Sequence, residues 1–316
     1  MENPLQHITL KNQILASGKI LDVHLSYQIF GPDLHSAPII LVNHALTGNS
    51  NVSGNRGWWN SLIGENKILD TRQYSVICFN IPGNGFDGNI LENYEDFGTR
   101  DIAQIFLAGF SLLKISKVQI LIGGSLGGAI GWEMLALKSD LAENFVPVAC
   151  HYKTSDWLHS QCLVQQFLLD HSHEPLEKAR LHAMLCYRTP ESLNNRFRNE
   201  IHPQAKIRRS HDWLNFHGKK LGARFSLKAY RFINQLLMSI NVDQEAIKKI
   251  KAKIHLVAVD SDQFFPAREI KECYEFLNKT KAIVFYNEIK SIHGHDAFLM
   301  EYAQLNQILN RVLNEK

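Results

Sequence analysis

The sequence predicts an α/β fold: a mostly parallel central sheet with helices between its strands and a helical block inserted between two of them. Three observations predict it. Short apolar runs alternate with helix-spaced segments in both halves of the chain. That alternation stops from about His151 to Ile247, where the text becomes helical, charged and rich in histidine. One apolar run, Val118-Gln119-Ile120-Leu121-Ile122, passes straight into Gly123-Gly124-Ser125-Leu126-Gly127-Gly128, the strand, sharp turn and helix start of a Gly-x-Ser-x-Gly nucleophile elbow.

Taken in order, residues 18–30 alternate apolar and polar side chains (Ile20, Val23, Leu25, Tyr27, Ile29) up to Gly31-Pro32, as a half-exposed strand of an opening hairpin does. Pro38 to Asn43 and Tyr74 to Asn80 read as buried strands, each running into a loop, with a helix expected around Trp58 to Ile63. Asp101 to Ile115 carries Ile102, Ile105, Phe106, Phe110 and Leu113 at helical spacing, with Thr99 or Asp101 available as a cap. After the serine turn Ala129 to Leu137 reads as a helix, and a strand covers Asn144 to Cys150, where Pro147 marks an end or a bulge. Strands return at Ile254 to Val259 and Ala282 to Tyr286, and a last amphipathic helix is expected over Phe298 to Leu313. Residues 1–150 and 248–316 therefore form the core, and 151–247 a helical lid, one helix of which carries Leu227, Tyr230, Ile233 and Leu237 on one face.

Composition narrows the function. With 316 residues, 45% of them hydrophobic, the chain can bury a large core. Its 34 basic residues against 31 acidic ones leave no nucleic-acid footprint. Five widely spaced cysteines without a Cys-x-x-Cys pair fit neither a disulfide framework nor a zinc knuckle, so a reducing, cytoplasmic setting is expected. The start, Met1 to His7, lacks the basic and apolar pattern of a signal peptide, and no run reaches the ~18 apolar residues of a membrane helix. Small-molecule substrates are the partners this leaves.

A serine hydroxyl needs a base to take its proton and an acid to orient that base. In this type of sheet the order is serine, acid, histidine, each on a loop after a later strand. Asp260-Ser261-Asp262 follows one late strand and His293-Gly294-His295-Asp296 follows the other. Asp262 is the acid expected, with Asp260 in a turn or capping role, whereas His293 and His295 compete as base on spacing alone. The two oxyanion amides are expected from Leu126, next to the nucleophile, and from Leu46 in His44-Ala45-Leu46-Thr47-Gly48. His44 reads as a hydrogen-bonded loop histidine rather than a second base.

At this point the residues resemble the homoserine O-acetyltransferases of the α/β-hydrolase superfamily. The resemblance runs from about residue 38 to 300. It is carried by His44-Ala45-Leu46-Thr47-Gly48, Gly57-Trp58-Trp59, Gly123-Gly124-Ser125-Leu126-Gly127-Gly128, Ala179-Arg180, Tyr187-Arg188, Leu214-Asn215-Phe216-His217-Gly218, Ser261-Asp262-Gln263-Phe264 and Gly294-His295-Asp296-Ala297-Phe298-Leu299. It implies the α/β-hydrolase fold, Asp262 as acid and His295 as base, and Asp296 at the substrate amino group, although Asp296 also suits an N-cap of the last helix. It further implies transfer of an acetyl group from acetyl-CoA, as co-substrate, to the hydroxyl of homoserine in methionine synthesis. No metal or prosthetic group is implied, and a homodimer is. The same residues with water as acceptor would hydrolyse small esters or thioesters, and another hydroxy amino acid or a succinyl donor stays within the transferase reading. The chain also departs from the family: Gln165 stands where an arginine holds the amino-acid carboxylate, Phe216 replaces a tyrosine, Ser226 replaces an acidic residue, and the loop after Asn80 is shorter. A neutral amide cannot make the bidentate charged pair that arginine offers.

Overall fold

The computed structural model describes residues 3–314; Met1 and Glu2, part of the stretch read above for a leader, lie outside the described residues. Ten strands are found among the described residues: β1 (Gln6–Ile14), β2 (Ile20–Phe30), β3 (Ile39–Asn43), β4 (Ile63–Gly64), β5 (Leu69–Asp70), β6 (Ser75–Phe79), β7 (Val118–Gly124), β8 (Ala142–Val148), β9 (Lys253–Val259) and β10 (Val284–Ile289). All but the short β4–β5 pair form one sheet in the order β1-β2-β6-β3-β7-β8-β9-β10. β1, β2 and β6 pair antiparallel, and from β6 to β10 every neighbour is parallel.

Every residue of β3 and β6 is buried, because helices cover both faces of a parallel sheet. Successive side chains then enter two different cores. Leu41 and Leu121 join Phe79, Phe106, Phe110, Trp132 and Phe145 under α1 (Thr99–Leu112) and α2 (Leu126–Leu137). Ile40, Val42, Ile120 and Ile122 join Trp59, Phe298, Leu305 and Leu309 on the opposite face. Each such large side chain contributes roughly 1.5–3 kcal/mol by leaving water.

Between β8 and β9 run α3 (Asp156–His171), α4 (Pro175–Tyr187), α5 (Pro190–Phe197), α6 (Arg209–Gly222), α7 (Leu227–Met238) and α8 (Gln244–Ile247). Their starts are written in the sequence. Ser155, Thr189 and Ser226 accept backbone N–H bonds as N-caps, and prolines open α4 and α5. Ser226 thus does for α7 what an acidic residue would do at the same place. Within α7, Tyr230, Ile233 and Leu237 are buried as expected, together with Phe232 and Leu236, and Leu227 is half-buried. After β9 come α9 (Ala267–Leu277) and α10 (Tyr302–Asn314).

Several expectations need correction. Trp58 to Ile63 is not a helix but a series of turns leading into β4. A side chain on Gly57 would collide with the Ser53 backbone, so this loop folds tightly on itself, and Trp59 is drawn under Phe298 with ring centroids 6.3 Å apart. The strand β1 that completes the opening hairpin is not among the runs named above, since only one of its nine residues is buried. The N-cap of α1 is Gly98; Asp101 reaches back to accept the amides of Gly98 (2.8 Å) and Ala16 (2.6 Å), and Thr99 is already helical. Pro147 is the next-to-last residue of β8, at its end and without a bulge. The last strand runs to Ile289 rather than Tyr286, and the last helix starts at Tyr302, because Gly294–Leu299 forms a separate 3-10 turn. Asp296 sits in that turn and does not cap α10.

Candidate active site

Ser125 closes β7 and opens α2. Its backbone is held at φ 53° and ψ −127°, a region that L-residues rarely occupy. Two contacts enforce it. The Ser125 amide donates to Val148 O of the neighbouring strand at 2.8 Å, and any side chain on Gly127 would run into the carbonyl of Asn43 at the end of β3. The elbow therefore turns between two strand ends, with the serine 3% exposed.

Ser125 Oγ lies 3.0 Å from His295 Nε2, and His295 Nδ1 lies 2.7 Å from Asp262 Oδ2. The other oxygen of Asp262, Oδ1, accepts the amides of Phe264 (2.7 Å) and Phe265 (2.9 Å). Fixed on both oxygens, the carboxylate aims the imidazole, and the Nδ1–H···Asp262 bond leaves Nε2 as the acceptor for the serine proton. The rings of Phe264, Phe265, Phe298 and Tyr187 enclose His295 at centroid distances of 5.1, 5.7, 5.5 and 5.5 Å. In such a dry setting each charge–dipole contact is strengthened.

The residues that competed with these go elsewhere. His293 Nδ1 is 2.9 Å from Ser192 Oγ on α5, facing the lid. Asp260 Oδ1 accepts the amide of Ser291 at 3.0 Å, a loop contact. Leu126 is the first residue of α2, so its amide has no partner within the helix. Leu46 is buried in a turn closed by the Gly48 amide on Ala45 O (2.9 Å), in the loop after β3.

Asp296, adjacent in sequence to His295, pairs through Oδ2 with Arg188 Nε at 2.8 Å. Gln165 does not offer its amide to the pocket. Nε2 donates to Ala179 O at 3.0 Å and lies 2.6 Å from His182 Nδ1, while Oε1 accepts from the Tyr230 hydroxyl at 3.3 Å. It helps line a small cavity with Leu46, Tyr187 and Phe264, with room for about one water.

Two arginines of the lid bear on the site, Arg180, quoted above for resemblance without a role, and Arg224, not singled out above. Arg180 lies over the Tyr187 ring at 5.8 Å, and its charge adds to burial, the larger cause, in lowering the pKa of Arg224 and of His217. Arg224 in turn donates to Thr47 O in the Leu46 loop at 3.2 Å. Burial first, then Arg180 and Lys220, lower His217 to about 4, so it is neutral beside them. Like charges gathered around the Tyr187 ring and the Leu46 loop suit an anionic ligand. The signal in the sequence was the spacing of Arg180, Met184 and Arg188, which helical periodicity brings to one side of α4 and its end.

A strained serine at a strand-to-helix turn, joined to a histidine and an aspartate on later strand-end loops of a largely parallel sheet, defines the α/β-hydrolase class. The family described as alpha/beta hydrolase fold matches residues 38–293. Among relatives, the homoserine O-acetyltransferase of Cyclobacterium marinum is 32% identical over 302 residues, covering 86% of this chain and 83% of its own. Among solved structures, the homoserine O-acetyltransferase from Bacillus anthracis superposes with a TM-score of 0.86 at 17% identity over 100% of this chain and 99% of that one. Esterase E22 superposes at 0.84 with 15% identity, covering 98% and 100%; at such identities the likeness is one of fold. The chain belongs to the homoserine O-acetyltransferase family of the α/β-hydrolase superfamily.

Proposed function

We propose that this chain transfers an acetyl group from acetyl-CoA to the side-chain hydroxyl of L-homoserine by a ping-pong route, a step of methionine synthesis. The observation that carries it is the unbroken Ser125–His295–Asp262 chain of hydrogen bonds in a family of acetyltransferases. Ser125 Oγ attacks the thioester carbonyl carbon as His295 Nε2 takes its proton, and the amides of Leu46 and Leu126 hold the oxyanion. Collapse breaks the C–S bond, His295 returns the proton to the leaving thiolate, and CoA departs. Homoserine then gives its hydroxyl proton to His295 as its oxygen attacks the acetyl-serine. The second collapse frees Ser125, which regains its proton, and O-acetylhomoserine.

The acceptor is a zwitterion, and two charged residues are assigned to it, Asp296 being held by Arg188 in the absence of substrate. Asp296 is placed one residue from the base for the ammonium, and Arg180 supplies the guanidinium for the carboxylate, in place of Gln165, whose polar atoms are engaged inside the lid. No metal or prosthetic group is required, since His295 moves every proton and backbone amides hold the charge. Cytoplasmic residence is supported by five free, buried cysteines, and among the described residues no helix is long and apolar enough to cross a membrane. Assembly as a homodimer through the lid is supported by Val164 and Phe167 of α3, Leu185 of α4 and Phe216 of α6, all of which expose apolar surface. Size-exclusion chromatography with light scattering reads that directly, and a monomer at micromolar concentration would refute it.

The deciding experiment follows CoA release from acetyl-CoA with and without L-homoserine. A burst on acylation and turnover that rises with homoserine are expected. Release no greater than that of Ser125→Ala overturns the reading, and release indifferent to homoserine makes water the acceptor.

A further inference from the structure

We propose that His44 is a positioning residue for the oxyanion hole: as a neutral ring it ties the loop that carries the Leu46 amide to the loop after β6. The inference rests on the acyl-transfer reading above, in which Leu46 N–H meets the developing charge. His44 is 1% exposed, and both of its ring nitrogens are engaged, Nε2 by the Ile81 amide and, at 3.4 Å, by Asn84 Nδ2. Nδ1 lies 2.8 Å from Ala45 O, which can only accept, so Nδ1 carries the hydrogen. Nε2 therefore bears the lone pair, and the Ile81 amide donates into it at 3.0 Å. Burial lowers His44 to about 4, which keeps this tautomer intact near neutral pH. A protonated ring would set a second N–H against that of Ile81.

The other end of the same loop is tied to the same neighbour. Asn80 Oδ1 accepts the Ser50 amide at 2.8 Å, and Asn80 Nδ2 reaches Ser26 Oγ (2.9 Å) and Ser50 Oγ (3.0 Å). Ser50 Oγ donates onward to Gln28 Oε1 at 2.7 Å. These side chains are all buried, and each finds a partner. A turn bearing Leu46 is thus anchored on both sides to residues 80 and 81. An oxyanion hole works by holding its donors in place before charge appears, because reorientation during the reaction would cancel the gain. The His44–Ile81 bond is the anchor nearer to Leu46.

Two substitutions separate this role from simple packing. His44→Asn retains a polar group near Ala45 O but is too short to reach Ile81, whereas His44→Gln sets an amide oxygen near the place of Nε2, able to accept the Ile81 N–H. The readouts are kcat and KM for acetylation by a chromogenic acetate ester, the affinity of a trifluoromethyl ketone whose serine adduct carries the oxyanion, and the melting temperature. His44→Asn is expected to lower kcat and ketone affinity together, by about 10- to 100-fold, with KM within about threefold, since loss of a whole oxyanion donor costs about 10²–10³. His44→Gln is expected to restore most of both. Ketone affinity of the asparagine variant equal to wild type overturns the proposal, as does a glutamine variant no better than asparagine at equal melting temperature. Should the asparagine variant not fold, glutamine against wild type decides: ketone affinity within about threefold supports the proposal, and a loss beyond about tenfold in a fully stable protein overturns it. A wild-type protein that is never acylated at Ser125 would instead sink the acyl-transfer reading itself.

Discussion

The guanidinium of Arg188 and the carboxylate of Asp296 meet at 2.8 Å across 108 residues of sequence, next to the ring that faces Ser125. Both side chains are largely shielded, at 13% and 17% exposure, so their charges are weakly screened. Arg188 also lies over the Trp213 ring at 6.0 Å, which fixes its plane. Asp296→Asn keeps the shape and removes the charge. It should raise KM for homoserine by about 10- to 100-fold, the range of a charge-assisted contact, and leave acylation by acetyl-CoA within about threefold. Stopped-flow measurement of the two half-reactions separates them; equal damage to both would show that Asp296 supports the triad and not the acceptor.

In the function proposed above, Arg180 takes the part of the positive charge that the first lid helix lacks. Arg180→Ala should cut kcat/KM for homoserine by about 30-fold or more, yet barely affect homoserinamide, which has no carboxylate to lose. A comparison of the two acceptors on both enzymes gives the answer. An unchanged ratio of the two specificities would remove Arg180 from the carboxylate site.

Restoring an arginine at position 165 should harm the protein rather than improve it. Gln165 is 6% exposed and bonded to Ala179 O and the Tyr230 hydroxyl, so Gln165→Arg buries a charge and strips both partners. A loss of about 2–4 kcal/mol in urea unfolding is expected, with no gain in homoserine affinity. Tighter homoserine binding in this variant would contradict the assignment.

The pH dependence of stability has a definite sign. Burial lowers His44, His151 and His255 to about 4, and burial with Arg180 and Lys220 does the same for His217. Between 6.5 and 4 the unfolded chain binds protons on these rings and the folded chain does not, so stability falls as pH is lowered through that window. Glu133 opposes this. Burial pushes its carboxyl up to about 7 despite Arg100 and Thr99, so its contribution is full below 4.5 and is lost as pH rises to 7. Burial also lowers His182 and raises Glu269, so five histidines against two carboxyls give a urea midpoint that drops on acidification from pH 7 to 5. Glu133→Gln, which relieves a carboxylate whose Oε2 has no hydrogen-bond partner, should raise the midpoint at pH 8 but hardly change it at pH 4.5. A midpoint that climbs on acidification would refute the first expectation.

The parallel strands were legible because a strand buried on both faces must be apolar throughout, as Ile39 to Val42 and Ser75 to Phe79 nearly are. The elbow and its partners were legible because their order along the chain follows from the topology of the sheet. Local text failed where distant contacts decide. Trp58, Trp59, Leu62 and Ile63 look helical by spacing, but the side chain that fixes Trp59 is Phe298, whose own position depends on the turn holding His295. Asp296 looked like a cap because nothing nearby in sequence points to Arg188. Gln165 looked like a gap in the substrate site because its partners, Ala179 and Tyr230, lie on two other helices.

Ser125 occupies φ 53°, where a glycine would sit without cost and a serine does not. Ser125→Gly should therefore melt at a higher temperature than the wild-type protein, as its backbone strain is released. The chain would fold more readily without the one side chain that reacts. Drift toward greater sturdiness at this position thus leads away from catalysis, and only continued demand for the reaction keeps the serine in its uncomfortable seat.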